Sequence, residues 1–397
     1  MDFKSHPHWS ALERIYHTLN DHGYKAYLAG GCVRDALLGR SANDLDLATD
    51  ATPDTIEKLF PKTVGVGKAF GVMLVIEDGI SFEVATFRSD GAYNDGRHPE
   101  NVVFTTPEED AQRRDFTVNA LFWDINQGRV LDFVGGLKDL ADKKIKAVGL
   151  AEDRFAEDHL RILRGVRFAA QLGFEIEEDT FFAIQKLSSI VRSVSSERIH
   201  EETLKLLKSA DAFRGLELLD KSGVGKALFQ SFPQIFQKSK KQYEHLFPST
   251  DKSDEFLWCA FLAPWALQRD IGWEWILDNY RFPRNMTKSL KRAMELFANP
   301  QHFFLSPVGE QFISLNDEGV RLFLKVSMKL SMGSSQPQKL LQQWQAWGEV
   351  LPEALVTGED LKARFQGRDL GVWLQRLFAW QLEGRHTTKE ELLKQIP

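Results

Sequence analysis

Hydrophobic and polar residues follow two different periods along the chain, and the change from one to the other comes near residue 145. Before that point, short apolar runs of period two predict strands at residues 25–29, 44–49, 62–67, 72–77 and 80–88. One helix is predicted before them, at residues 9–22, and two are predicted between them, at residues 33–38 and 53–60. From about residue 146 the apolar spacing is helical nearly throughout. The pattern therefore predicts an α+β domain followed by helical domains.

Several segments are less regular. Residues 88–107 are rich in Gly, Asn, Asp and Pro and predict a mobile loop, while residues 108–123 are expected to be helical or half-helical. A Gly-Gly turn within residues 131–139 is interpreted as structural. In the helical part, the predicted helices are 155–172, 179–188, 196–209 and 211–222.

A Gly-Gly turn follows the first predicted strand. Gly30 and Gly31 let backbone N–H groups approach an anion closely, at the start of a helix whose dipole favours negative charge. Arg34 lies one turn into that helix and can bring a guanidinium to the same anion. Taken alone, a Gly-Gly pair is more often only a tight turn. Its position before a helix with Arg34 makes it a candidate phosphate site.

Two aspartates follow on the next predicted strand. Asp44 and Asp46 are two residues apart, so their carboxylates project to the same face. Adjacent carboxylates repel each other, a cation between them relieves that repulsion, and oxygen-only ligands favour Mg²⁺. Glu83 completes a three-carboxylate cluster if its strand lies beside the aspartates, and otherwise it faces solvent. A phosphate site opposite a metal-binding carboxylate pair predicts nucleotidyl transfer.

A second set of charged residues recurs at steps of three in the predicted helix 155–172: Asp158, Arg161, Arg164 and Arg167. A solvated face with an Asp158–Arg161 ion pair would show the same spacing. However, cytosine and adenine share an amino donor beside a ring-nitrogen acceptor, whereas guanine and uracil present a carbonyl beside an N–H. Since Asp accepts and Arg donates, Asp158 with Arg161 matches C or A. Arg164 and Arg167 would lie near ribose or phosphate, or fix the readers in place.

Composition limits the class of protein. A chain of 397 residues is too long for one ordinary core and predicts several domains. The two cysteines exclude a disulfide framework and a zinc site, and the absence of a signal segment or long apolar run predicts a cytoplasmic protein without membrane contact. The formal net charge of −6 means that any RNA-binding surface must be made by folding.

Four motifs resemble those of class II tRNA nucleotidyltransferases, the bacterial CCA-adding family within the polymerase-β-like superfamily. They are Gly30-Gly31-Cys32-Val33-Arg34-Asp35 with Asp44-Leu45-Asp46, Arg113-Arg114-Asp115-Phe116-Thr117-Val118-Asn119-Ala120, Glu157-Asp158-His159-Leu160-Arg161 continuing to Arg167, and Glu197-Arg198-Ile199 with Glu201. Their order and spacing follow the family over residues 1–220. Beyond 220 the resemblance is limited to helical character and a basic helix at residues 281–292, similar to family segments near RNA.

This resemblance implies a polymerase-β-like nucleotidyltransferase head with a mixed sheet at 1–145, an all-α neck at 146–222, and a helical body and tail at 223–397 that hold the tRNA acceptor arm. The expected reaction adds C, C and then A to the tRNA 3′ end from CTP and ATP, releasing pyrophosphate. The expected cofactor is Mg²⁺, as two ions. The resemblance assigns metal binding to Asp44 and Asp46, nucleotide binding to Gly31, Arg34 and Arg114, and base reading or support to Asp158, Arg161, Arg164 and Arg167. The local pattern adds Gly30 to the nucleotide site and Glu83 as a further catalytic candidate.

The sequence alone leaves other functions open. Bacterial poly(A) polymerases share these motifs, but they typically carry a basic Arg-Arg-Phe-type signature after the acidic strand, where this chain reads VGKAFG at 66–71. Residues 87–99 resemble the flexible loop that CCA-adding enzymes use to switch from C to A, which disfavours an enzyme adding only CC. An enzyme that adds only A remains an alternative, as does a non-catalytic RNA-binding relative, although the latter has no use for the aspartate pair. No paired His-Asp ligands follow residue 220, so no phosphatase activity is expected.

Overall fold

The structure, a computed structural model, describes residues 3–42, 44–93, 96–97, 99–247 and 249–397. The chain forms two compact units, Met1–Leu228 and Phe229–Pro397. Across the described ranges, no helix combines the length and the apolar character needed to cross a bilayer. The α+β class is confirmed, since a mixed sheet in the first unit precedes a long series of helices.

The first unit is built on a seven-stranded sheet of order β3-β4-β5-β2-β1-β8-β9. The strands of the chain are β1 Ala26–Ala29, β2 Leu47–Thr49, β3 Thr63–Gly67, β4 Val72–Glu77, β5 Ile80–Thr86, β6 Arg88–Asp90, β7 Val102–Phe104, β8 Leu121–Asp124, β9 Arg129–Asp132, β10 Lys144–Ile145 and β11 Glu175–Ile176. Only the β2–β5 pair of this sheet is parallel. In this strand order the short β2 lies at the centre of the sheet, between β1 and β5.

Helices cover this sheet and continue beyond it. Those of the first unit are α1 Trp9–Asp21, α2 Gly31–Leu37, α3 Pro53–Leu59, α4 Pro107–Gln112, α5 Gly136–Ala141, α6 Ala151–Glu157, α7 Leu160–Leu172, α8 Glu178–Leu187, α9 Ser196–Leu207 and α10 Ala212–Lys221, and α11 Val224–Phe229 reaches the unit boundary. Local chemistry sets several of their starts. Thr52 and Thr106 cap α3 and α4 with their side-chain oxygens, and each is followed by a proline in the first turn.

A core of small and aromatic side chains fixes the central strands. Ala29 and Ala48, on neighbouring strands, pack with the buried rings of Phe87 and Phe122. Those two rings meet edge to face, with centroids 6.0 Å apart. The small residues let the aromatic layer approach the sheet closely, which positions the strand ends that carry the site.

The second unit is helical throughout its described residues. Its helices are α12 Phe232–Leu246, α13 Asp254–Leu267, α14 Gly272–Asn279, α15 Arg284–Ala298, α16 Pro300–Phe304, α17 Val308–Ser314, α18 Glu318–Lys329, α19 Gln336–Ala346, α20 Gly358–Leu361, α21 Gly367–Leu382 and α22 Lys389–Leu393. The central helix α13 is buried on all sides, and Trp258, Phe261 and Trp265 form part of its aromatic core. Such all-round burial explains why α13 is apolar on every face.

Four predictions about elements need correction. Residues 88–107 are not simply a loop, because β6 and β7 pair there as an antiparallel hairpin; Asn94, Asp95 and His98 lie outside the described residues. Residues 108–123 begin as α4 but end as β8, next to β1 in the sheet. Strand β2 starts only at Leu47, so both aspartates precede it. The predicted helix 155–172 is two helices, broken at Asp158 and His159.

Candidate active site

All eleven predicted site residues line one cleft of about 810 Å³ in the first unit. They are Gly30, Gly31, Arg34, Asp44, Asp46, Glu83, Arg114, Asp158, Arg161, Arg164 and Arg167. The carboxylates come from the ends and edge of the sheet, and the other charged residues come from α2, from the segment after α4 and from the α6–α7 region. The structure therefore brings the aspartate pair at residues 44 and 46 together with the charged set at residues 158–167, more than a hundred residues later in the sequence.

The parallel pairing of β2 with β5 brings Asp46 and Glu83 side by side. Leu47 is in register with Val84, so the preceding residues Asp46 and Glu83 lie level with each other on adjacent chains. The backbone N–H of Ala29 donates to the carbonyl of Asp46 at 3.0 Å, which continues the β1 ladder beyond β2. Asp46 is half-buried, whereas Asp44 and Glu83 are exposed to the cleft.

Electrostatics at this edge favours a bound cation. Burial, reinforced by the Glu83 and Asp44 carboxylates and opposed by Arg114, raises the pKa of Asp46 to about 6. Partial loss of hydration within the cleft raises the pKa of Glu83, opposed by Arg114 and reinforced by Asp44. Among the described residues, no set of three His, Cys, Asp or Glu side chains converges into a metal-binding group. Asp44 and Asp46, as oxygen ligands that repel each other, nonetheless form a donor set that suits Mg²⁺.

The Gly-Gly turn faces these carboxylates. Gly30 has a φ of +72°, and a Cβ there would lie 3.0 Å from Nη1 of Arg114. Arg114 is oriented by Asp110, which accepts two of its N–H groups, and by the carbonyl of Asn119, 3.2 Å from Nη1. Arg34 is buried and donates to Asp35 at 2.8 and 2.9 Å and to the Asn119 side chain. The turn is thus lined by two guanidinium groups whose positions are fixed by neighbours.

Asp158 lies in the break between α6 and α7 and not within a helix. Its Oδ1 accepts the backbone N–H of Leu160 at 3.1 Å, so it stabilises the first turn of α7. Its Oδ2 accepts from Arg198 of α9 at 2.8 Å. The predicted alternative of an Asp158–Arg161 ion pair does not occur, because each residue has a different partner.

Arg161 is buried on the first turn of α7. It donates to the Glu157 carboxylate at 2.6 Å and to the carbonyl oxygens of Arg154 and Arg113 at 3.1 and 2.9 Å. These three acceptors come from α6 and from the segment after α4. A guanidinium with this many partners has a fixed direction and loses little entropy on binding a ligand.

Arg164 and Arg167 are held by two buried carboxylates. Arg164 donates to Asp115 at 2.8 and 2.6 Å, and Arg167 donates to Glu202 at 2.9 Å. The Arg167 guanidinium also lies 3.5 Å from the centroid of the Phe168 ring. Both arginines therefore belong to a network that ties α7 to α9 and to the Asp115 segment.

Sequence reasoning missed the acidic residues that hold the arginines. Asp110, Asp115 and Glu202 are all buried, with exposed fractions of 1%, 8% and 2%. Asp115 belongs to the motif at residues 113–120, but the motif alone assigns it no role. In the last motif, Glu201 is exposed, whereas its neighbour Glu202 is buried. Asp and Glu are almost never fully buried unless they are paired, so these carboxylates could be recognised only through their arginine partners.

Comparison with known proteins places the chain in a family. The Poly A polymerase head domain matches residues 26–146, and the probable RNA and SrmB-binding site of polymerase A matches residues 173–237. A CCA-adding enzyme of Bacillus pumilus is 37% identical over 372 residues, which cover 91% of this chain and 88% of that protein. This chain belongs to the CCA-adding enzymes. A CCA-adding enzyme of Geobacillus kaustophilus is 32% identical, with 94% of this chain and 96% of that protein covered.

Solved CCA-adding enzymes share the fold over nearly the whole chain. The Bacillus stearothermophilus enzyme in complex with CTP matches with a TM-score of 0.76 and 28% identity, covering 98% of this chain and 97% of that one. The Thermotoga maritima enzyme complexed with tRNA matches with a TM-score of 0.70 at 21% identity, covering 98% and 94%, and this likeness concerns the fold alone.

Proposed function

We propose that this chain adds C, C and A to the 3′ end of tRNA from CTP and ATP, with the cleft of the first unit as its active site. The observation that supports this assignment is the meeting of the aspartate pair with Asp158 and Arg161 in a single cleft, in a chain of the CCA-adding family. The cytoplasmic location remains part of the proposal and depends on the sequence alone.

We assign metal binding to Asp44 and Asp46, with two Mg²⁺ ions as the proposed number. Bound there, Mg²⁺ would supply Lewis-acid activation of the tRNA 3′-hydroxyl and stabilise charge on the α-phosphate. Glu83 lies level with Asp46 and raises its pKa, so it strengthens the negative potential that attracts a cation. The chain needs no nucleophile of its own, because the attacking hydroxyl belongs to the RNA.

The remaining residues bind and select the nucleotide. Gly30 and Gly31 let the backbone approach the triphosphate, and Arg34 and Arg114 neutralise its charge at the same turn. Asp158 accepts the exocyclic amino group shared by cytosine and adenine, and Arg161 donates to the adjacent ring nitrogen. Arg164 and Arg167 support this edge, being fixed by Asp115 and Glu202. Protein side chains thereby take the place of a template.

Three tRNA transcripts test the product directly. The first transcript ends before CCA, the second ends within CCA after its first C, and the third lacks only the final A. Each is incubated with CTP or ATP separately. A CCA-adding enzyme extends the first two with CTP and only the third with ATP, as resolved on a sequencing gel. Extension of the third alone would indicate an enzyme that adds only A, repeated A addition would indicate a poly(A) polymerase, and no extension would indicate a binding protein.

A further inference from the structure

Asp110 of α4 lies behind the cleft and contacts two arginines, Arg113 and Arg114, that line it. It is 1% exposed, and its two carboxylate oxygens hold different arginines. Oδ1 accepts Nε and Nη2 of Arg113 at 2.9 and 2.7 Å, whereas Oδ2 accepts Nε and Nη2 of Arg114 at 3.1 and 3.0 Å. One buried side chain therefore fixes two neighbouring guanidinium groups, each through a pair of charge-assisted hydrogen bonds.

The first connection leads to the Gly-Gly turn. With Nε and Nη2 held by Asp110, the Nη1 group of Arg114 is directed toward Gly30, at 3.0 Å from the position of a Cβ there. The guanidinium also lies over the Phe122 ring, 4.7 Å from its centroid. Within the described part of the chain, Asp110 is the carboxylate that forms an ion pair with Arg114. The direction of Arg114 at the turn thus depends on Asp110 together with the Asn119 carbonyl, which accepts Nη1 at 3.2 Å.

The second connection leads to the base-reading edge. The Arg113 side chain is held by Oδ1 of Asp110 and by the carbonyl of Arg88, 3.1 Å from its Nε. The carbonyl of Arg113 in turn accepts Nη2 of Arg161 at 2.9 Å. Anchoring the Arg113 side chain fixes its backbone, and that backbone directs Arg161. Asp110 is therefore two contacts away from Arg161.

The charge on Asp110 is required for both connections. Burial alone would raise its pKa, but the Arg114 and Arg113 guanidinium groups outweigh burial and hold the pKa below its usual value. The carboxylate is consequently ionised at any pH where the enzyme works. An amide at this position keeps the shape, but it loses the charge that both arginines share and turns its NH2 group toward the donors of one of them.

We propose that Asp110 is a positioning residue that couples triphosphate binding by Arg114 to base selection by Arg161. The proposal rests on the proposed function, from which the roles of those two arginines are taken. It goes further by assigning one buried carboxylate to both. Because each oxygen serves one arginine, loss of the charge must disturb both ends of the nucleotide site together.

Asp110→Asn in the full-length enzyme tests this coupling with two measurements. Inhibition by inorganic tripolyphosphate reports the triphosphate end without a base, and the ratio of kcat/KM for CTP over UTP on tRNA reports base selection. We expect the inhibition constant to rise about tenfold or more and the ratio to fall about tenfold or more. A change in only one measurement, or in neither after correction for the active fraction, would overturn the coupling.

The matched control is Asp124→Asn. Asp124 is also a buried carboxylate of the first unit, with 6% exposure, but it accepts the backbone N–H of Gln127 and lies outside the cleft lining. Loss of its charge should leave both measurements within about twofold of the parent enzyme. An equal loss in this control would show that the effects of Asp110→Asn reflect general destabilisation, which would also overturn the proposal.

Three further variants separate this proposal from the proposed function. Arg114→Ala should weaken tripolyphosphate inhibition, and Arg161→Ala should lower the CTP-to-UTP ratio; if they do not, the proposed roles themselves are wrong. If both behave as expected and Asp110→Asn does not, the coupling alone is wrong.

Arg113→Ala removes a partly exposed side chain and decides the case if Asp110→Asn fails to fold. Arg113→Ala should lower the ratio of kcat/KM for CTP over UTP while leaving the tripolyphosphate inhibition constant within about twofold of the parent value. An unchanged CTP-to-UTP ratio would contradict the coupling.

Discussion

Gly30 shows at the scale of one residue why the turn needs glycine. Its φ of +72° disfavours any side chain, and Arg114 occupies the space that a Cβ would need. Gly23 also has a positive φ, of +86°, but nothing lies within 4 Å of its would-be Cβ. The two glycines therefore separate the cost of backbone strain from the cost of displacing the arginine.

Gly30→Ala should lower kcat/KM for CTP about tenfold or more, because the new methyl group pushes Arg114 away from the triphosphate. Gly23→Ala is the control, and it should lose only about 1 kcal/mol of stability with kinetics unchanged. Steady-state kinetics and urea unfolding of both variants make the comparison. Equal kinetic losses in the two would show that Arg114 is not the cause.

Asp44 carries the second prediction at this scale. Asp44→Ala should abolish nucleotide addition, since it removes half of the proposed metal-binding pair, while tRNA affinity changes little. The control Asp54→Ala removes an exposed aspartate of α3 that pairs with Lys68. This variant should add nucleotides at the rate of the parent enzyme. Addition is read from labelled CTP, and tRNA binding from filter retention. Near-normal turnover of Asp44→Ala would refute the metal assignment.

At the scale of elements, the break between α6 and α7 places the two residues that we propose to read the base. Asp158 in the break and Arg161 one turn later present an acceptor and a donor from two different backbone environments. Exchange of the two, as Asp158→Arg with Arg161→Asp, reverses the pattern that matches C and A. We expect the kcat/KM ratio of CTP over UTP to fall by about tenfold or more.

Each single variant serves as a control for that exchange. Both should reduce CTP addition without improving UTP addition, because only the double exchange supplies the reversed pattern. The new arginine at 158 would face Arg198, so a third change, Arg198→Glu, is added to restore a charge pair there. Unchanged nucleotide choice in the triple variant would show that protein side chains are not the template.

The sequence predicted the fold to the extent that local patterns determine it. Strands β4 and β5 follow the period-two pattern, and their boundaries agree closely with 72–77 and 80–88. Strand β8 was misread because Leu121 and Phe122 are both buried, so the alternation that marks a one-sided strand is absent. The α6–α7 break was missed because helical apolar spacing continues through it without Gly or Pro.

The candidate site was predicted in the same uneven way. Residues that we propose to meet the ligand, such as Asp46 and Arg161, have chemistry that is visible in a motif. Residues that hold them, such as Asp110 and Glu202, owe their importance to burial and to partners distant in sequence. No local pattern contains that information, because it arises only when α4, α7 and α9 pack together.

At the scale of the molecule, the buried network around Asp115 makes the first unit sensitive to acid. Burial alone would raise the pKa of Asp115, but Arg164 and the Asn119 amide lower it to about 2. A carboxyl with a lowered pKa in the folded state contributes stability above its unfolded pKa, and this is lost as pH falls toward the folded pKa. The shift from 3.8 corresponds to about 2 kcal/mol.

Urea unfolding should therefore show a loss of about 1 kcal/mol from this group between pH 5 and pH 3. Asp115→Asn removes the titrating group, so the variant should be less stable at pH 7 but show a shallower decline with acid. Asp21→Asn, which removes an exposed aspartate at the end of α1, provides the control and should follow the parent curve. An Asp115→Asn curve parallel to the parent curve would show that this network does not set the acid limit.

The whole chain carries a formal charge of −6, yet its substrate tRNA is a polyanion, so binding must use local basic surfaces. Helix α15 of the second unit offers one candidate surface. Arg284 and Lys288 are exposed there, and no ion pair in the described part of the chain includes either. Lys291 on the same helix is instead paired with Asp278 at 2.9 Å.

Replacing Arg284 and Lys288 together by alanine should raise KM for tRNA several-fold and reduce its salt dependence, with KM for CTP unchanged, because each unpaired charge releases counterions from phosphate. Lys291→Ala is the matched control; it removes a charge that Asp278 already neutralises and should change KM for tRNA less than twofold. The kinetics are measured at several salt concentrations. If the double variant and the control behave alike, α15 lies outside the RNA path, and the basic surface must be sought on other helices of the second unit.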